Sequence, residues 1–175
     1  MRRLGISMRP FYRASDYGMR NSIGYLVRRS ANLLLPQMET LFSDQTLSFS
    51  QWSALMALRE DPGGTAADLA RIICHDAGSL TRILDQLEKR GLVSRKRSES
   101  DRRQVVLELT PRGRALITSL MPRVVGLWNE LLGDFSHDEI RLLIKFLTRL
   151  TASAENHREA AEPSRKAPPR LRKSA

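Results

Sequence analysis

The chain has 175 residues, enough for one ordinary domain with a real core and short for two. Its 29 Lys+Arg against 19 Asp+Glu give a formal charge of +10, which favours a polyanionic partner, nucleic acid before an anionic membrane surface. A single cysteine, Cys74, excludes an intrachain disulfide and fits a reducing compartment. No segment approaches the about 20 apolar residues that a membrane span requires. No apolar stretch follows the basic N-terminus either, so a secretory signal is not expected and the predicted location is cytoplasmic.

Residues 1–20 carry Arg2, Arg3, Arg9 and Arg13 among apolar residues of no clear period, and read as a flexible basic arm. From Asn21 to Phe42, Ile23, Leu26, Val27, Leu34, Met38 and Leu41 recur at helical spacing. Pro36 conflicts with that helix, because proline lacks a donor and clashes with the preceding turn. A kink or break is therefore expected near Leu34 to Gln37. Ser48 or Ser50 can cap the next helix, with Trp52, Leu55, Met56 and Ala57 on its buried face. Asp61-Pro62-Gly63-Gly64 is a turn. Thr65 with Asp68 three residues on forms a capping box for a third helix, whose Leu69, Ile72 and Ile73 face inward.

Asp76 can cap a fourth helix, which Gly91 ends. Leu80, Ile83, Leu84 and Leu87 form its apolar face. Ser79, Thr81, Arg82, Asp85 and Gln86 form the other, a short polar surface of the kind that fits a DNA major groove. Lys89 and Arg90 suit the negative end of its dipole. Two strands follow, Val93 to Arg97 and Gln104 to Leu109, separated by the turn-forming run SESDRR. Arg95, Lys96, Arg97, Arg102 and Arg103 place five cations on this one hairpin. A polar-faced helix followed by a basic hairpin predicts a winged helix-turn-helix.

Pro111 then opens a helix running through Leu116, Ile117, Leu120, Val124, Leu127, Trp128 and Leu131, and Pro122 invites a bend. Ser136 and Glu139 make the capping box of a last helix carrying Ile140, Leu143, Phe146, Leu147 and Leu150. Such wide apolar faces have little left to cover inside so small a unit, so burial against a second copy, as a two-fold dimer, is expected. From about Ser153 the chain turns to Ala, Pro, Arg and Lys, and residues 153–175 read as a disordered basic tail.

The run DRRQVVLELTPRG, Asp101 to Gly113, resembles the D-x-R-x-x-x-x-x-L-T-x-x-G signature of the MarR (multiple antibiotic resistance regulator) family. Leu80 to Arg95 is similar to that family's recognition helix and the start of its wing, Thr65 to Ile73 to its supporting helix, and Leu47 to Leu58 to the helix before that. The resemblance covers roughly Asn21 to Thr151. It implies a mainly α (α+β) fold, a winged helix-turn-helix with a dimerisation region formed by the first and last two helices. The implied domain spans residues 21–152, with a DNA-binding lobe at about 47–110 and dimerisation helices at about 21–43 and 110–152.

The expected function is that of a homodimeric, sequence-specific transcriptional regulator of a pseudo-palindromic operator, a repressor released by a small aromatic or phenolic ligand. Ser79, Thr81 and Arg82 would read base edges, while Lys96, Arg97 and Arg102 would grip phosphate. Arg103 would enter the minor groove, oriented by Asp101, as their match to the family's signature implies. Tyr25, Trp52 and Met56 lie on helices that line the family's effector crevice, although a plain core role suits all three. Cys74 lies in a turn, whereas the family's peroxide sensors carry their cysteine in the first helix. His75, His137 and His157 are too scattered for a zinc site. No catalytic motif and no cofactor signature is present, so an enzyme is not expected. Two alternatives share the composition: a sequence-tolerant architectural DNA binder and a winged-helix module that binds protein.

Overall fold

The computed structural model describes residues 10–73, 77–98 and 104–161. Along these, six helices and one hairpin follow in the expected order: α1 (Ile23–Phe42), α2 (Phe49–Glu60), α3 (Ala66–Ile72), α4 (Ala77–Lys89), β1 (Val93–Arg97), β2 (Val105–Leu109), α5 (Pro111–Leu131) and α6 (His137–Ala161). Short 3-10 turns, Met19–Asn21 and Ser43–Gln45, precede α1 and join it to α2. The described residues divide into two compact units, one up to Val124 and one from Val125.

Helix starts are fixed by side chains the sequence already offered. Ser48 Oγ accepts from Gln51 N while Gln51 Oε1 accepts from Ser48 N, a closed capping box. Thr65 and Asp68 close the same arrangement on α3, and bonds from Thr65 hold the Asp68 carboxyl below its ordinary value. Ser136 and Glu139 do so on α6, lowering Glu139 for the same reason. The C-terminus of α4 closes by the two bonds of a Schellman turn, Leu92 N to Leu87 O and Gly91 N to Glu88 O. Gly91 sits there at φ +66, where a side chain would be strained.

The core of the first unit gathers Met38 and Phe42 of α1, Trp52, Leu55 and Leu58 of α2, Leu69 of α3, and Leu80, Leu84 and Leu87 of α4. Leu47, Ala54, Ala57, Leu92, Val93, Leu107, Leu109, Ile117, Leu120 and Val124 complete it. Trp52 stacks on Phe42 with ring centroids 5.1 Å apart. The hairpin is antiparallel with Val93 opposite Leu109 and Arg97 opposite Val105, so its buried residues lie at the base. A third extended segment joins it. Leu107 N donates to Gly64 O at 3.1 Å and Gly63 N to Leu107 O at 3.3 Å, making the Asp61–Gly64 turn the start of a short pairing along β2.

Three sequence expectations need correction. Helix α1 is not broken at Pro36: it runs from Ile23 to Phe42 with the proline inside it, and Gln37 Nε2 and Thr40 Oγ1 add bonds to the Leu33 and Pro36 carbonyls. Ile72 is 54% exposed, since α3 is only seven residues long and Leu69 alone reaches the core. Helix α6 continues beyond residue 152 to Ala161. The segment Ala154 to Ala161 is rich in Ala, Glu and Arg, strong helix formers that extend an existing helix at no nucleation cost. Residues 162–175, like 1–9, lie outside the described residues.

The second unit consists of the last turns of α5 and of α6, whose Leu142, Leu143, Ile144, Phe146, Leu147 and Leu150 are all exposed in the single chain.

The L-T-x-x-G run acquires a physical meaning at the base of the wing. Thr110 Oγ1 donates to Gly91 O at 2.7 Å and accepts from Gly113 N at 3.0 Å, capping α5 and pinning it to the end of α4. Gly113 is buried against the Leu92 carbonyl, inside the space a Cβ would need. Gly113→Ala must therefore push α5 off backbone, not off a side chain that can turn aside. The expected cost is ~1–3 kcal/mol, read as a lowered midpoint in a urea titration. An unchanged midpoint would show that this contact is not what seats α5.

Candidate nucleic-acid interface

Helix α4 is divided lengthwise. Leu80, Leu84 and Leu87 are at most 1% exposed, whereas Ser79, Thr81, Arg82, Asp85 and Gln86 are all exposed. Burial of one apolar face thus forces the other outward. That outer face is itself graded. Its first turns carry Ser79, Thr81 and Arg82, short polar groups and one long cation. Farther along, Asp85, Gln86 and Glu88 bond to neighbours within the fold. Gln86 Oε1 accepts from Gln51 Nε2 at 2.7 Å. Asp85 and Glu88 both receive Arg95 of β1, at 2.6 and 2.7 Å.

This ion-paired arginine changes the reading of the wing. Of the five hairpin cations, Arg95 turns toward α4 and, although still exposed, fastens β1 to it. Exposed ion pairs contribute only ~0–1 kcal/mol each, so the effect is chiefly geometric: one planar fork holds two carboxylates on successive turns of the helix. It also neutralises two anions beside the exposed polar face of α4. Lys96 Nζ meets Glu108 Oε2 at 2.6 Å across the strands, a diagonal pair given that Lys96 lies opposite Val106. Arg97 is exposed, two residues beyond Arg95 on the same side of the strand. Asp101, Arg102 and Arg103 lie outside the described residues, as do Cys74, His75 and the Asp76 cap.

At the other end of α4, sequence placed Arg90 near the helix dipole alone. The structure gives it fixed partners. Its guanidinium donates to Gln45 O at 2.8 Å and Thr46 O at 3.0 Å, in the α1–α2 junction. No sequence signal marked this, because the partners are backbone carbonyls about 45 residues away, which no side-chain pattern reveals.

The three candidate effector residues are not brought together in one cavity. Tyr25 is half-buried and lines two surface pockets with Arg28 and Met19, of about 520 and 500 Å³, and Trp52 and Met56 line neither. Tyr25 Oη accepts from Arg29 at 3.4 Å. Trp52 is 5% exposed and committed to its stack on Phe42; Met56 is half-buried. Among the described residues no group of His, Cys, Asp and Glu is placed to hold a metal ion, and no helix is long and apolar enough to cross a membrane.

Comparison with known proteins adds to this geometry. The sequence pattern of the MarR family matches residues 47–105, from two residues before α2 to the first residue of β2. The organic hydroperoxide resistance transcriptional regulator of Bacillus subtilis is 32% identical over 98 residues, which is 56% of this chain and 67% of that protein. Among solved structures, the transcriptional repressor CouR of Rhodococcus jostii, bound to a 23-mer DNA duplex, superposes with a TM-score of 0.69. It is 27% identical, and the match covers 75% of this chain and 94% of CouR. BpsR of Bordetella bronchiseptica, whose DNA binding is regulated by 6-hydroxynicotinic acid, shares the fold at 24% identity, with a TM-score of 0.69 over 77% of this chain and 96% of its own. Proteins of this kind are transcriptional regulators, not enzymes. The chain belongs to the MarR family of winged helix-turn-helix transcriptional regulators.

Proposed function

We propose that the protein is a homodimeric repressor of a pseudo-palindromic operator, with α4 of each protomer in the major groove. The observation that carries this is the division of α4: a leucine face in the core leaves Ser79, Thr81 and Arg82 exposed on its first turns. In this reading those three meet base edges. Lys96, Arg97 and Arg102 bind phosphate, and Arg103, oriented by Asp101, enters the minor groove. Lys96 would exchange Glu108 for phosphate on binding. The DNA-binding lobe spans about residues 47–110, and the dimerisation helices about 21–43 and 110–152 together with the added turns of α6. Repression is supported by the likeness to CouR.

The test is binding to a panel of single-base operator variants at fixed salt. Arg82→Ala removes a fork able to bond bidentately to guanine, worth ~1–3 kcal/mol at one position; its losses should cluster at a few base pairs of each half-site. Arg97→Ala should weaken every duplex alike and reduce the salt slope by about one unit. Uniform losses for Arg82→Ala would remove α4 from the reading role. A steep salt slope with no preference among sequences would instead favour an architectural DNA binder, and no DNA binding at all a protein-interaction module.

A second copy is supported by exposed apolar surface that water would not otherwise tolerate: Ile23, Leu26, Val27 and Leu33 on α1, and Leu143, Phe146, Leu147 and Leu150 on α6. Phe146→Glu with Leu150→Glu should give a folded monomer in sedimentation experiments. A dimer of unchanged strength would exclude this face of α6.

The effector proposed is a small aromatic or phenolic acid, its ring contacting Tyr25 and its carboxylate near Arg28, with Trp52 and Met56 as the apolar residues of the adjoining lobe. Likeness in fold to BpsR supports it. A series of hydroxylated aromatic acids should weaken operator binding in the wild type and do so less in Tyr25→Ala. Equal responses in both proteins would place the effector elsewhere.

A further inference from the structure

The α1–α2 junction is held from two directions by arginines. Arg90 follows the last residue of the recognition helix, is half-buried, and donates to two successive backbone carbonyls, Gln45 O at 2.8 Å and Thr46 O at 3.0 Å. Those carbonyls are offered by an unusual backbone: Thr46 has φ 47, the one non-glycine residue in the left-handed region among the described residues. From α5, Arg123 Nη1 lies 3.0 and 2.9 Å from the two carboxylate oxygens of Asp44, the residue immediately before Gln45. Its guanidinium, with Gln45, holds the Asp44 carboxyl below the ordinary carboxylate value. Three consecutive residues, Asp44, Gln45 and Thr46, therefore link α5 to the end of α4. Glu39 of α1 joins the same junction by accepting from Phe49 N at 3.1 Å.

Leucine burial also holds α4 against α2, but burial is non-directional and tolerates small slides and rotations. A charged fork on two carbonyls does not, since its bonds have fixed length and direction. We propose that Arg90, backed by Arg123 on Asp44, is a positioning residue that sets where the recognition helix stands relative to α1 and α5, and thereby fixes the half-site separation an operator must have. The inference rests on the dimeric operator reading above. In a two-fold dimer the distance between recognition helices is set by their placement on the dimerisation helices. One inserted base pair moves a half-site by about 3.4 Å and turns it by about 35°. The clamp makes the protein refuse that change; base preference inside each half-site stays with α4.

The experiment uses the full chain. Duplexes bound by the wild type are selected from a random pool, and the resulting operator is rebuilt with one base pair inserted or removed between half-sites, and separately with base changes inside one half-site. Wild type, Arg90→Ala, Arg90→Lys, Arg123→Ala and the double variant with alanine at both positions are compared at several salt concentrations. Arg90→Ala is expected to shrink the spacing penalty by about tenfold, the scale of a lost charged hydrogen-bond pair, while half-site base preferences and the salt slope stay as in the wild type. Lysine, unable to span both carbonyls, should behave like alanine. Arg123→Ala should act in the same direction by a smaller factor, and the double variant should change less than the product of the two.

If Arg90→Ala does not fold, as read by its helical signal and melting, the lysine and Arg123 variants carry the same comparison. An unaltered spacing penalty in a dimer that binds paired half-sites overturns this inference alone. A salt slope reduced by about 0.9, the value of one phosphate contact, would make Arg90 a DNA ligand and overturn it too. A monomer, or selected duplexes with no repeated half-site, would overturn the dimeric reading together with the inference.

Discussion

Everything at the interface depends on the seating of α4. Leu80, Leu84 and Leu87 lie in the core and cannot rotate outward without exposing three leucines, a loss of ~1.5–3 kcal/mol for each. That constraint alone decides which residues face solvent. Around it, the polar bonds add precision that burial lacks. Gln51 bonds Gln86 from α2, Arg95 reaches two acids from β1, and Arg90 grips the α1–α2 junction. Helix α4 is thus held at its core face, on its outer face and at its C-terminus.

Charge in this protein is spent on two distinct tasks. A net charge of +10 draws the whole chain toward a polyanion, but the individual cations are not interchangeable. Arg95, Arg90, Arg123 and Arg114 are all engaged within the fold, the last on the Leu109 carbonyl at 2.6 Å. Arg90 and Arg95 each use two guanidinium nitrogens as a planar fork that a lysine would not replace, while Arg123 and Arg114 donate through Nη1. Arg82 and Arg97, by contrast, extend from surfaces whose other face is packed. The distinction separates arginines that brace the fold from arginines left at its surface, and it falls between neighbours in sequence.

The exposed apolar faces divide in the same way. Apolar spacing on α1 and α6 matches that of α4, yet the α4 leucines are buried in the single chain while most of the others are not. Hydrophobic periodicity reports that a face seeks cover; it carries no information on whether the cover comes from the same chain.

The sequence by itself determined the element order and the starts of α2, α3 and α6, because these rest on short-range physics. A capping box needs four residues, an amphipathic face needs two turns, and a basic hairpin is read from adjacent side chains. Ser48, Thr65 and Ser136 therefore cap as expected, and the first turns of α4 show Ser79, Thr81 and Arg82 outward. The helicity of Ala154 to Ala161 was also local, but composition resembling a tail masked it. Tertiary structure alone decided the partners. It turned Arg95 from a wing cation into a strut, gave Lys96 to Glu108, drew Gly63–Thr65 along β2, and left Ile72 in solvent. It also chose backbone carbonyls of Gln45 and Thr46 for Arg90. A guanidinium accepts any nearby oxygen, so its role is set by which oxygen the fold delivers, and that depends on contacts tens of residues apart in the chain.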